Sequence, residues 1–187
     1  FNYGYCQYSG GHQINKKLYN QIPETDVRKG WWSGEDGKNT HLDDKYNAYL
    51  AKYSFPAYTS CKFNTYDGTL GCSTNANDIP LMRVEEMYLI KAEAMAKAGQ
   101  DGKSFLESFV KTYRDPSYTC NGDVQEAVYF QKRIELWGEG LIWYDVMRLN
   151  KGIDRRGGGF DATVVFDIKP GDPILLWRLP QTEINAN

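Results

Sequence analysis

The sequence predicts a mainly α fold built of αα-hairpins, with long irregular loops and a small β element near the C-terminus. Three observations predict it. Helical periodicity concentrates in residues 79–150, the connections there are short, and the flanking stretches have composition without a clear period. The 187 residues are enough for one domain with a core. We read 1–78 as a loop-rich segment, 79–150 as the helical core and 151–187 as a loop and strand cap. The chain opens on Phe1-Asn2-Tyr3-Gly4 with no initiator Met, so it is expected to be a fragment of a longer protein.

In the first segment, "HQINKKLYNQIP" is helical and ends at Pro23. "TDVRKGWWSGEDGKN" is a short apolar island followed by a turn-rich loop. "YNAYLAKYSF" and "AYTSCKF" read as β or irregular. The core opens with "NDIPLMRVEEMYLIKAEAMAKAG", where Asp78 can cap, Pro80 suits the first turn and Gly99 stops the helix. On its wheel Arg83, Glu86, Glu93 and Lys97 share one side. "SFLESFVKTYRD" is a second helix, ended near Pro116. "DVQEAVYFQKRIELWG" is a third, capped by Asp123. "LIWYDVMRLNKG" is a fourth, apolar nearly all round and therefore buried, with Gly152 as its stop. "DRRGGGFD" is a glycine-rich turn without the strand-to-helix context of a phosphate loop. "ATVVFDI" and "PILLWRLP" read as strands that could pair, and "PQTEINAN" closes the chain. No repeat of roughly 34 residues is visible.

The net charge of −2 does not indicate nucleic-acid binding or attraction to an anionic membrane surface. No apolar run is long enough to span a bilayer. Cys6, Cys61, Cys72 and Cys120 form no C-x-x-C pair, and only His12 and His41 could join them, so no metal site and no cofactor is expected. A disulfide from Cys61 to Cys72 and free buried thiols are both compatible with the spacing.

The densest chemistry lies in "KRIELWGEGLIWYDVMRLNKG", residues 132–152. Glu135 falls inside the apolar arc of Val124, Ala127, Val128 and Ile134, where a charged carboxylate is costly unless paired. Asp145 and Arg148 stand i,i+3 on one face. The economical reading is a structural ion-pair network of Arg83, Glu86, Glu93, Arg133, Glu135, Glu139, Asp145 and Arg148. Arginine suits it because its planar fork binds carboxylates bidentately. The alternative is a glycoside hydrolase using Glu135 and Glu139. That chemistry needs two carboxyls on an open cleft roughly 5–10 Å apart, one with a raised pKa. Nearby arginines would act the other way, so no catalytic residue is expected.

These motifs, in this order, resemble the C-terminal part of the SusD/RagB family. "PLMRVEEMYLIKAEAMAKAG" is similar to the family's P-x-x-R-x-x-E-x-x-L-x-x-A-E-A helix through Pro80, Arg83, Glu86, Leu89 and Ala92-Glu93-Ala94. The 132–152 run is similar to R-x-x-E-L-x-x-E-G-x-x-x-x-D-x-x-R through Glu135, Leu136, Glu139, Gly140, Asp145 and Arg148, with Arg133 one residue off the usual place. "LWRLPQTEINAN" is similar to the terminal I-P-x-x-E-I-x-x-N. Leu141-Ile142 departs from the family, which often has a basic or polar residue there, and the change fits burial.

The resemblance implies TPR-like helices and a surface-exposed outer-membrane lipoprotein of Bacteroidetes. It implies a non-catalytic glycan or nutrient binder that delivers its ligand to a TonB-dependent SusC-like transporter. Contact with the membrane would be only through a lipid anchor absent from this chain. Ligand contacts are sought among Trp31, Trp32, Tyr46, Tyr49, Tyr53, Tyr58 and Tyr66, with Trp31, Trp32, Tyr46 and Tyr66 foremost. Aromatic faces stack on sugar rings, although such residues also serve as packing. A third reading is a helical interaction scaffold with no small ligand of its own.

Overall fold

The computed structural model describes residues 11–63, 68, 78 and 80–186. Its centre is a stack of three helices: α3 (Val84–Lys97), α4 (Gly102–Tyr113) and α5 (Val124–Glu135). Leu89 and Ala92 of α3, Leu106, Phe109 and Val110 of α4, and Val128 of α5 close one apolar cluster with Cys120. The connections are short, as αα-hairpins require. Asp101 caps α4 by accepting from the Ser104 N–H, and Asp123 caps α5 by accepting from Glu126 N–H. The Asp123 cap is where the sequence places it.

The opposite side of α5 receives the first segment. Here α1 (Lys16–Gln21) and a 3₁₀ turn at Val27–Trp31 bring Ile14, Leu18, Ile22, Trp32 and Tyr58 onto Ile134. Two isolated antiparallel bridges, Gln13 to Thr59 and Trp32 to Ser60, hold this layer together. Residues 57–63 thus supply bridges rather than a strand. A third small cluster forms on α2 (Asp44–Lys52), where Tyr49 and Leu50 pack with Phe55. That helix corrects the β reading of "YNAYLAKYSF". Tyrosine favours strands, but Tyr46, Tyr49, Leu50 and Tyr53 are spaced for one helical face. Tyr49 and Tyr53 meet edge to face at 4.9 Å.

Two further boundaries differ. The first core helix starts at Val84, not near Asp78 and Pro80. Arg83 holds the N-cap position in an extended conformation, without a side-chain cap bond. Its guanidinium is drawn to Glu135 instead. Gly99, at φ +71°, follows the helix as expected. The helix α6 (Ile142–Arg148) ends at Asn150, which takes the left-handed conformation, and not at Gly152. Gly152 serves a different need: a Cβ there would lie 2.4 Å from the Ile168 carbonyl oxygen. Nor is α6 buried all round. Tyr144 is 70% exposed, and only Asp145 and Val146 are buried within the helix.

The small β element is real but pairs differently. Two-residue strands β1 (Ile153–Asp154) and β2 (Asp167–Ile168) run antiparallel, joined through the glycine-rich turn. Only the end of "ATVVFDI" is strand; Ala162–Val164 is a 3₁₀ turn. "PILLWRLP" is a 3₁₀ turn at Pro173–Leu175, capped by Asp172, and then extended chain. α7 (Gln181–Ala186) ends the description. Among the described residues no helix is long and apolar enough to cross a membrane.

The tightest helix contact makes a prediction. A Cβ on Gly102 would lie 2.2 Å from the Ala92 carbonyl oxygen and 2.7 Å from the Ala96 nitrogen. Both neighbours are backbone and cannot swing aside. Gly102→Ala is expected to force α4 off α3 and cost about 2–3 kcal/mol, read from the urea midpoint.

Candidate functional site

The carboxylates of residues 132–152 divide between two separate clusters. The first surrounds Glu135, whose side chain is 0% exposed. Arg114 holds it in a two-pronged bond, with Nε 2.8 Å from Oε2 and Nη2 2.9 Å from Oε1. Arg83 Nη2 donates to Oε1 at 2.6 Å, and Arg28 Nη1 to Oε2 at 3.3 Å. Arg28 is itself buried and held by Asp26 and by Gln131 Oε1. Glu139 accepts from Arg83 Nη1 at 2.6 Å and from Lys62 Nζ. Lys62 also donates to the carbonyl oxygen of Glu135, at the C-terminal end of α5, and to that of Trp137 just beyond it. Glu85 bridges Arg83 and Arg114. Four cations (Arg28, Arg83, Arg114, Lys62) thus face four carboxylates (Asp26, Glu85, Glu135, Glu139), and the cluster is neutral.

Burial alone would raise the Glu135 pKa, but the Arg114 bonds and the charges of Arg114, Arg28 and Arg83 outweigh it, and the net shift is downward. Burial pulls Lys62 down, opposed by its bond to Glu139. A general acid needs the reverse of what Glu135 has, and no side-chain surface of it meets solvent. The Glu135 and Glu139 pair is therefore unsuited to glycoside hydrolysis.

The second cluster joins α3 to α6. Arg148 donates to both oxygens of Glu93, at 2.6 and 2.5 Å, and to Asp145 at 2.6 Å. Lys97 adds a contact to Glu93, and Lys132 one to Asp145. Arg148 is 38% exposed, so this pair reaches solvent at the rim of a recess of about 520 Å³. Burial raises the Glu93 pKa, but the Arg148 and Lys97 bonds prevail and hold it at about 2. Two members of the predicted network stay outside both clusters. Glu86 lines the same recess and enters no ion pair among the described residues, and Arg133 lies over the Tyr129 ring at 5.7 Å. Arg28, Arg114, Lys62, Asp26, Glu85 and Lys132 join the clusters without having been in the predicted network.

The predicted ligand aromatics scatter. Trp32 is 1% exposed and meets Trp137 edge to face at 5.8 Å, so its ring packs inside the protein. Trp31 is half-buried, with Lys62 Nζ 5.0 Å from its ring centre. Tyr46 is half-buried beside the α2 cluster. Tyr49 and Tyr58 are buried, Tyr53 is exposed, and Tyr66 lies outside the described residues. So do Cys6 and Cys72, and with Cys72 the question of a bond to Cys61. Among the described residues no group of His, Cys, Asp and Glu is placed to hold a metal ion. One open cleft among the described residues lies elsewhere. It occupies about 600 Å³ between α1, α5, α6 and the turn after β1, and Tyr129, Trp143 and Phe160 help line it.

The described residues thus form a helical array clamped by buried carboxylate–arginine bonds, with an aromatic-lined cleft on another face. The sequence profile of the SusD family matches residues 5–187, and the chain belongs to that family. A SusD-like protein of Formosa agariphila is 28% identical over 98 residues, covering 46% of this chain and 20% of that protein. Two solved structures share the fold. One, a SusD-like carbohydrate binding protein from Bacteroides vulgatus, has a TM-score of 0.66 at 22% identity, over 94% of this chain and 40% of that one. The other, a SusD superfamily protein from Bacteroides thetaiotaomicron, has a TM-score of 0.64 at 24% identity, over 91% and 37%. The chain thus spans well under two thirds of each relative.

Removing the Glu135 carboxylate would leave buried Arg28 without that partner and Arg114 without its two-pronged bond. Glu135→Ala is expected to cost about 3–5 kcal/mol in chemical denaturation. Arg148→Ala should cost less, about 1–2 kcal/mol, because Lys97 and Lys132 remain and solvent reaches the site. The clusters also set an acid limit. Glu93 has a folded pKa of about 2 against an ordinary 4.5, so its contribution is complete above about pH 4.5 and is lost as pH falls toward 2. Glu135, also shifted down, acts in the same direction. Urea midpoints should fall between pH 5 and pH 3, and Glu93→Gln should flatten that fall.

Proposed function

We propose that the chain is part of a non-catalytic, surface-exposed lipoprotein of the outer membrane that binds glycans or related nutrients. It would pass them to a TonB-dependent SusC-like transporter. The observation that carries this reading is the family match over residues 5–187, in a chain whose motif carboxylates face inward onto cations. The carbohydrate-binding relative of the same fold supports the ligand class. In this reading Trp31 and Tyr46, with Tyr66, contact ligand, while Trp32 packs against Trp31 at a tilt, ring centres 6.0 Å apart.

The test is affinity electrophoresis against a panel of polysaccharides, with product analysis in parallel. Retarded migration with no product released is expected. Trp31→Ala should weaken binding roughly tenfold with the fold intact, whereas Trp32→Ala should cost about 3–5 kcal/mol of stability. Release of oligosaccharide products that Glu135→Gln abolishes, in a folded variant, would overturn the reading.

A helical interaction scaffold is the second reading. It draws support from the exposed apolar side chains Leu81 and Met82 before α3 and Val84, Met87 and Ile90 within it. Co-purification with a transporter and no affinity for any polysaccharide would favour it.

A further inference from the structure

We propose that the cleft between α1, α5, α6 and the turn after β1 binds an acidic saccharide, one that carries a carboxylate or sulfate on its ring. The proposal takes from the reading above only that the ligand is a sugar.

The cleft holds positive charge that the protein does not neutralise. Lys17, Arg133, Lys151 and Arg155 line it, against a single acidic residue, Asp154. That carboxylate is already bound by Arg156, at 2.9 and 3.1 Å. Lys151 is taken by Glu126. Lys17, Arg133 and Arg155 have no carboxylate within ion-pair distance among the described residues. Of the arginines outside the cleft, Arg28, Arg83, Arg114, Arg148 and Arg156 are paired and Arg178 is in no ion pair among the described residues. Arg133 and Arg155 have no carboxylate partner and Lys17 acts on Asp154 only at longer range, in a chain whose net charge is −2. Walls of low dielectric strengthen their common field toward an anion.

The geometry suits a ring that bears the anion better than a bare ion. Arg155 lies over Phe160 with its guanidinium carbon 4.0 Å from the ring centre, and Arg133 over Tyr129 at 5.7 Å. An arginine resting on an aromatic ring directs its N–H donors sideways, where a carboxylate or sulfate can take two at once. Trp143 adds another apolar wall of the kind that covers sugar C–H faces. The volume of about 600 Å³ falls within the range of small-ligand sites.

The frame is also fixed. The Lys16 N–H donates to the Gly158 carbonyl at 2.9 Å, tying α1 to the glycine-rich turn. A Cβ on Gly158 would lie 2.7 Å from Phe160 and 2.9 Å from Asn15, so the turn can approach this closely only as glycine.

Calorimetry on the 187-residue chain tests the proposal with three probes: trigalacturonate, its methyl ester and a sulfated galactan oligosaccharide. One or both acidic probes should bind, more weakly as salt rises, and the methyl ester should bind roughly tenfold more weakly than trigalacturonate. Which acidic probe is preferred separates carboxylate from sulfate recognition. Arg133→Gln and Arg155→Gln should each lower acidic-probe affinity roughly tenfold without moving the melting curve, and Arg133→Lys should recover part of it. Equal binding of acid and ester would overturn the acidic site while leaving sugar binding intact. Undiminished binding by a folded Arg133→Gln, Arg155→Gln double variant would overturn the cleft as its location. Inorganic sulfate competing as well as the oligosaccharides would overturn the saccharide assignment and with it the sugar reading here.

Discussion

The carboxylate of Glu135 is the constraint on which the rest of the structure depends. It is fully buried and charged, and such a group is tolerable only when every lone pair is engaged. Its partners come from three places: Arg28 from the first segment, Arg83 from the N-terminal end of α3, and Arg114 from just past α4. The apolar clusters on either side of α5 supply the bulk of the driving force. They do not specify how the layers are registered. A four-against-four charge lattice does, since sliding one layer would leave several buried charges unpaired at once. In this sense the lattice sets uniqueness more than net stability.

The second cluster has a different character. Arg148 spans Glu93 and Asp145 with its fork, but it meets solvent, and Lys97 is more exposed still. Its bonds fasten α6 against α3 without the all-or-none cost of the Glu135 site. A single 21-residue stretch therefore feeds two kinds of junction. Glu135 and Glu139 lock the interior, and Asp145 with Arg148 fastens an edge. The interposed glycines, Gly138 and Gly140, both at φ +79°, turn the chain between them.

α4 is legible from its apolar spacing and its end near Pro116, and α5 from its apolar spacing and the Asp123 cap. Glu135 was legible as paired because a charge inside an apolar arc needs a partner. The identity of the partners was not. Arg28 and Glu135 are 107 residues apart, and no local pattern links them. The start of α3 was misplaced because Pro80 and Asp78 make a good local cap, while a tertiary bond draws Arg83 out of the helix. α2 was hidden by tyrosines, whose strand preference conceals their helical spacing. Trp32 illustrates a further ambiguity. An aromatic beside a polar loop reads the same whether its ring stacks on a ligand or on Trp137, and only packing decides. The unmatched cations of the cleft were invisible for the same reason: a missing partner is a property of three dimensions.

The bond across those 107 residues has a kinetic consequence. Contacts within α3, α4 and α5 join residues close in sequence, and hairpins of this kind close quickly. Arg28 reaches Glu135 only after a much longer loop has formed, and that loss of chain entropy precedes any gain from the contact. The chain topology thus implies an order of events. On that ground the three-helix stack is expected to form before residues 26–28 reach Glu135.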